Sequence, residues 1–316
     1  MKRIAIIVAV LIVVPLTALG VTATIHSALK PNIDADMRAR ITAEGRTNFV
    51  QLPDGVIAYG LRGPADGPVL VLVHGFSVPR FVFDKNAEAF ANAGYRVLTY
   101  DHYGRGYSDR PDLTYNADLY ERELLQLLDA LEITEPVHLL GYSMGGGIGT
   151  VFAARNPGRV RKLILIAPSG FMPPAAGTQA IAEVPVLGDW LFALLHEGTL
   201  ASAFQKQVDA GIAPEYFATL YREQMQYHGY GRALLSSMRH FIRVNLQNEY
   251  ELLHKHDTPT LLLWGTEDKI VPYAGHESVL AAAPHIRLES FANTSHAIAY
   301  EKPDEVNRLV IDFLKE

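Results

Sequence analysis

The chain contains no cysteine. That excludes disulfides, a thiolate nucleophile and cysteine-ligated metal. It leaves the compartment open, because an exported protein need not carry disulfides. No long run of either charge interrupts the 316 residues, and the net charge is −6. Nucleic acid is therefore disfavoured as a partner, since such binding calls for a basic face. No H-E-x-x-H occurs, and the one close histidine pair, His254 and His256, reads as a solvated segment before a strand. Gly145-Gly146-Gly147 lacks both the lysine and the G-x-G-x-x-G spacing of phosphate loops, so tight helix packing is its reading. No motif requires a cofactor or a metal, and there is no internal repeat or low-complexity tract.

What is present starts with core-forming material. Hydrophobic residues make up 49% of the chain, and its length suits one large domain with an insertion. The most informative stretch is residues 137–155, VHLLGYSMGGGIGTVFAAR. Val137, Leu139 and Leu140 predict a short buried strand. Gly141-Tyr142-Ser143-Met144-Gly145 then fits G-x-S-x-G, and the Ala- and Gly-rich residues after it predict a tightly packed helix. A serine on a sharp strand-to-helix turn exposes its hydroxyl above a sheet. Glycine on either side lets strand and helix approach. The helix N-terminus behind the serine favours negative charge on a bound carbonyl oxygen.

The remaining elements follow in a regular order. Pro53-Asp54-Gly55 predicts a hairpin turn between residues 49–52 and 56–60. A continuous apolar run predicts a strand buried on both faces over 69–73, and further strands are expected over 95–100, 162–167, 260–264 and 286–291. Helices are expected over 83–93, 117–131, 144–156 and 275–283, with a last one opened by Pro303. Such alternation means α/β architecture, a mostly parallel central sheet with helices on both faces. Residues 171–253 break the alternation, with helical stretches at 190–195, 201–210 and 216–228 and no buried strand. The aromatic residues there include Trp190, Phe192, Phe204, Tyr216, Phe217, Tyr221 and Tyr227. Packing helices together explains each of them more readily than lining a pocket does.

Four further motifs carry a family resemblance. His74-Gly75-Phe76 follows the apolar run 69–73, and Asp101 to Ser108 fits D-x-x-G-x-G-x-S. Gly265-Thr266-Glu267-Asp268 follows the strand at 260–264, and His296 follows the last strand. From about residue 49 to 316 the chain resembles the α/β-hydrolase superfamily. Around Ser143 it is most similar to the lipase, esterase and monoacylglycerol-lipase-like members. The resemblance implies a core over 49–170 and 254–316 with a helical lid inserted at 171–253. It implies Ser143 as nucleophile, His296 as its base and Asp268 as the carboxylate that orients the base. Asp257, Glu267 and Glu289 lie close to Asp268 in sequence, Glu267 being its first rival. The oxyanion hole would use the backbone N–H groups of Met144 and Phe76. His74, His102 and Ser108 read as scaffolding, with Ser77 near the substrate. The implied activity is hydrolysis of carboxylic esters, acylglycerols included, so the partner is a small-molecule ester or lipid. Two alternatives stay open. The same triad serves amide, carbon–carbon or peracid chemistry, and a hydrolase scaffold can serve a binding or receptor protein.

The N-terminus reads as an export signal. Lys2 and Arg3 precede an uncharged stretch over residues 4–25. It is long enough to cross a bilayer as an uncleaved anchor, with the basic residues inside. It also fits a signal peptide cleaved near Gly20 or Ala23. Both readings place the catalytic part outside the cytoplasm, membrane-associated in the first; a buried helix of the domain is the third reading. Residues 26–48 are polar and read as a tether or a short helix.

Overall fold

The computed structural model describes residues 28–45, 47–175 and 182–316, together with positions 22, 25 and 180. Its strands are β1 (Asn48–Leu52), β2 (Gly55–Arg62), β3 (Val69–Val73), β4 (Arg96–Tyr100), β5 (Val137–Tyr142), β6 (Val160–Ile166), β7 (Thr260–Gly265) and β8 (Arg287–Phe291). They form one sheet in the order β1-β2-β4-β3-β5-β6-β7-β8. The β1–β2 hairpin turns where Asp54-Gly55 predicts it, and β2 also pairs antiparallel with β4. Every other pairing is parallel. The helices are α1 (Ala35–Ala43), α2 (Asp84–Asn92), α3 (Ala117–Ala130), α4 (Met144–Arg155), α5 (Leu187–Asp209) and α6 (Glu215–Gln224). They continue with α7 (Tyr230–His240), α8 (Gln247–Lys255), α9 (Gly275–Ala282), α10 (Ile298–Glu301) and α11 (Pro303–Lys315).

Successive residues of a strand face opposite sides. In this sheet that alternation divides the core in two. Leu139 packs with Val71, Leu163, Leu165 and Leu262 beneath α3 and α4. Leu140 packs with Leu70, Leu72, Ile164, Ile166, Leu261 and Leu263 beneath α2 and α11. With both faces covered, the central strands are largely apolar, and β3 reads as an unbroken run.

Among the described residues, four helices, α5 to α8, lie between β6 and β7. Two stretches expected as separate helices, 190–195 and 201–210, are one helix of 23 residues. Gly198 and Thr199 weaken helix propensity there without ending the helix. The helix expected over 216–228 stops at Gln224, and the chain restarts as α7 after Gly229, whose φ is +84°. The last helix of this segment, α8, packs against α4 and α9 on the sheet. Phe204 and Tyr221 stack at 4.7 Å between α5 and α6, and Phe217 meets Phe81 at 4.8 Å, which joins lid to core. Tyr216 is exposed and bonds Asp84.

The segment expected to be a tether or short helix contains α1, capped by the Asp34 side chain on Met37 N at 2.8 Å. It is docked on the body. Lys30 Nζ donates to Met225 O at 2.7 Å, Arg38 pairs with Asp109, and Ile33 and Ile41 are buried. Among the described residues no helix is long and apolar enough to cross a membrane. The anchor or signal expected over residues 1–25 lies outside the described residues, apart from positions 22 and 25.

Candidate active site

β5 ends at Tyr142 and α4 begins at Met144, so a single residue makes the reversal. Ser143 accordingly sits at φ +56°, ψ −120°, where an L residue stays only when its surroundings hold it. Here the surroundings do. Ser143 N donates to Ile166 O at 2.8 Å, and Ser143 O accepts from Gly146 N at 2.9 Å and Ser169 N at 3.0 Å. The approach of strand and helix is close: a Cβ on Gly145 would lie 2.0 Å from Val73 O.

The turns after β7 and β8 bring the other two expected residues to this serine. His296 Nε2 lies 2.9 Å from Ser143 Oγ, and His296 Nδ1 lies 2.6 Å from Asp268 Oδ2. Asp268 Oδ1 accepts from Ile270 N and Val271 N, each at 2.9 Å. An ionised carboxylate only accepts, so Nδ1 carries a proton and Nε2 presents a lone pair to the serine hydroxyl. The Asp268 side chain is closed to solvent, and its hydrogen bonds replace the water it has lost. Tyr142 OH donates to His296 O at 3.1 Å, which steadies the histidine loop. Of the carboxylates near one another in sequence, Asp268 meets the histidine, while Glu267 and Asp257 are exposed and Glu289 lies on β8.

Both expected oxyanion donors sit beside Ser143. Met144 is the first residue of α4, so its N–H has no acceptor within the helix. Phe76 follows Gly75, where an added Cβ would lie 3.3 Å from Ser143 Cβ. Two residues not singled out from sequence hold this loop. Arg105 is fully buried; its Nε donates to Phe76 O at 2.9 Å and its Nη2 to Ser237 Oγ, on α7, at 2.7 Å. Gln224, on α6, donates to Ser77 O at 2.8 Å and accepts from Gly106 N at 3.1 Å. The lid is thus tied by polar contacts to the loop that carries Phe76. Arg105 could have been suspected from its place between the turn glycines Gly104 and Gly106, whereas nothing in the sequence marks Gln224.

Ser108 scaffolds as expected, its Oγ accepting from Ala58 N at 2.9 Å. His254 pairs with His285, Nδ1 to Nδ1 at 3.1 Å, and not with His256. Among the described residues no group of three or more His, Asp or Glu side chains could hold a metal ion.

A family model described as alpha/beta hydrolase fold matches residues 68–303. The chain is similar to a 2-hydroxy-6-oxononadienedioate/2-hydroxy-6-oxononatrienedioate hydrolase of Cupriavidus pinatubonensis, 29% identical, covering 87% of this chain and 97% of the relative. It is also similar to a non-heme chloroperoxidase of Streptomyces lividans, 27% identical over 84% of this chain and 99% of the relative. Among solved structures, a membrane phospholipase A superposes with a TM-score of 0.68 at 23% identity, covering 100% of this chain and 98% of that one.

Proposed function

This chain is a hydrolase that belongs to the α/β-hydrolase fold family, and on that premise we propose that Ser143 attacks a substrate carbonyl and forms an acyl-enzyme. The continuous relay from Asp268 through His296 to Ser143, with steps of 2.6 and 2.9 Å, carries the reading. His296 takes the hydroxyl proton as attack begins and becomes an imidazolium stabilised by Asp268. Negative charge develops on the carbonyl oxygen, where the N–H groups of Phe76 and Met144 and the start of α4 receive it. Collapse of the tetrahedral intermediate expels the leaving group, which takes its proton from His296. Water then repeats the sequence and frees the acid.

Two leaving groups fit this attack. The curated relatives support carbon–carbon cleavage better than the ester cleavage expected from sequence: a 2-hydroxy-6-oxo-dienedioate has no ester or amide link, so its hydrolysis breaks a carbon–carbon bond. A carbon leaving group must be delocalised, so the 2-hydroxy enol first passes its proton to the carbon beside the 6-oxo group. When the carbon–carbon bond breaks, its electron pair runs into the new 2-oxo group as a dienolate, which is then protonated on oxygen. An alkoxide, by contrast, takes its proton from His296 directly. Carboxylic ester hydrolysis, acylglycerols included, is the second reading, and it draws on the apolar lid residues and the surroundings of Ser143. Comparing kcat/KM for a 2-hydroxy-6-oxo-dienoate with that for a chain-length series of p-nitrophenyl esters separates the two. The carbon–carbon reading expects the dienoate to match or exceed the best ester. An ester preference of more than about 150-fold, beyond what one methylene contact supplies, would reverse the assignment.

We also propose that the enzyme works outside the cytoplasm, tethered by residues 4–25. The support is the uncharged stretch behind Lys2 and Arg3. Fractionation of cells expressing the full chain should place the protein, with Met1 retained, in the membrane. A soluble product starting near Val21 or Thr24 would replace the anchor with a cleaved signal.

A further inference from the structure

Beside the Phe76 loop, His74, His102 and Glu123 form a chain of hydrogen bonds closed to solvent. Its near end governs the orientation of a peptide. The Gly75–Phe76 peptide is planar, so its N–H points away from its carbonyl. His74 Nδ1 lies 2.9 Å from that carbonyl, Gly75 O. The backbone N–H of His102 donates to His74 Nε2 at 3.0 Å, which makes Nε2 the acceptor and places the proton of a neutral His74 on Nδ1. His74 therefore donates to Gly75 O. Fixing that carbonyl fixes the direction of Phe76 N–H.

The far end governs His74. His102 Nε2 lies 3.2 Å from His74 O, and His102 Nδ1 lies 2.9 Å from Glu123 Oε2. A carbonyl only accepts, so His102 Nε2 carries a proton. Glu123 Oε1 accepts the backbone N–H of Tyr103. What remains is one proton in the 2.9 Å gap between Nδ1 and Oε2. With that proton every group in the chain is satisfied. Without it, two lone pairs face each other across the gap, or His102 moves its proton to Nδ1 and turns a lone pair on His74 O. Either outcome disturbs the backbone at His74 and Gly75, because a buried polar group does not stay without a partner.

We propose that Glu123 is a positioning residue of the oxyanion hole: the proton it shares with His102 locks the His102–His74–Gly75 chain that aims Phe76 N–H, and loss of that proton at high pH unlocks it. The proposal rests on the serine-hydrolase reading above. The groups facing the pair are Arg105, Tyr100, Tyr103 and Tyr120, with His74 and Arg80 beyond. Burial holds all three tyrosines above their ordinary range, so they stay neutral. Burial raises the Glu123 carboxyl from 4.5 to about 8, against the opposing pull of the Tyr103 N–H and of Arg105. Burial, with Arg105 adding to it, holds His102 down at about 3. At neutral pH the shared proton therefore belongs to Glu123. The folded value lies above the unfolded one, so the stabilisation is complete below 4.5 and is lost as the pH rises through about 8.

Glutamine at 123 tests this, because its Nε2–H supplies the bridging proton permanently while its Oε1 accepts from Tyr103 N–H. Glu123→Gln should keep kcat for a p-nitrophenyl ester within about threefold at pH 7, as an isosteric donor should, and should abolish the fall in kcat above about pH 8 that is expected of the parent. Glu123→Ala should lower kcat about ten- to hundredfold, with KM within about twofold, since a misaimed donor acts on the transition state. A Glu123→Gln enzyme that keeps the parent's alkaline fall, or folds but loses activity, overturns the proposal. If the glutamine variant does not fold, ¹⁵N spectra of the histidine-labelled parent decide instead. His102 Nε2 protonated at pH 7, with its ring shifts moving near pH 8, is expected; an unprotonated Nε2 contradicts the chain. Fluorophosphonate labelling of the parent separates the two levels. A parent that neither labels nor turns over removes the serine-hydrolase reading itself, whereas a labelled, active parent with an unaltered variant profile removes only the role of Glu123.

Discussion

Ser143→Ala is expected to lower turnover roughly 10⁴- to 10⁶-fold, the range set by loss of a nucleophile whose partners remain in place. The fold should survive. Ser143 is held at φ +56° through its backbone, by Ile166, Gly146 and Ser169, and the hydroxyl takes no part in those bonds. Its only hydrogen bond among the described residues is to His296 Nε2. Steady-state kinetics together with a thermal melt check the two halves of this expectation. A folded variant with more than about a hundredth of parental turnover would mean that Ser143 is not the attacking group.

Asp268→Asn is expected to cost about 10⁴ in kcat, the size of effect seen when the orienting carboxylate of a triad becomes an amide. The local geometry dictates why. Asp268 Oδ1 accepts from both Ile270 N and Val271 N, so the amide oxygen of the asparagine must stay on that side. The NH₂ group is then delivered to His296 Nδ1, where the carboxylate oxygen now lies at 2.6 Å. An NH₂ group only donates, so Nδ1 becomes the acceptor and the imidazole proton moves to Nε2. A protonated Nε2 cannot take the serine proton. Measuring kcat against pH for this variant checks the expectation. Unchanged turnover would transfer the orienting role to another carboxylate, with Glu267 the first to replace.

The same contacts explain what could be read from the sequence. The grouping of Ser143, Asp268 and His296 was legible because each follows a strand and stands in a short local pattern. Strands β3 and β7 were the most legible, because burial on both faces leaves them almost no polar position. The antiparallel pairing of β2 with β4 was not, because the hairpin signal ends at Asp54-Gly55 and says nothing about the next neighbour. Helices α7 and α8 were missed as well, being short segments among aromatic residues whose packing is set by the core they cover. Gln224 meets Ser77 across 147 positions and Arg105 meets Ser237 across 132, separations that leave no periodic trace. Glu123 was read only as part of a helix, since its significance depends on His102 lying opposite it. The bond to be cleaved is hidden for a different reason: attack on a carbonyl needs the same three residues whether oxygen or carbon departs.

The central claim is that Ser143 is the activated nucleophile of a complete relay. Treating the purified protein with a fluorophosphonate, digesting it and locating the adduct by peptide mass tests this most directly. One adduct per chain is expected, on Ser143, and it should disappear in Ser143→Ala. An adduct on another residue, or full labelling of Ser143→Ala, would contradict the account.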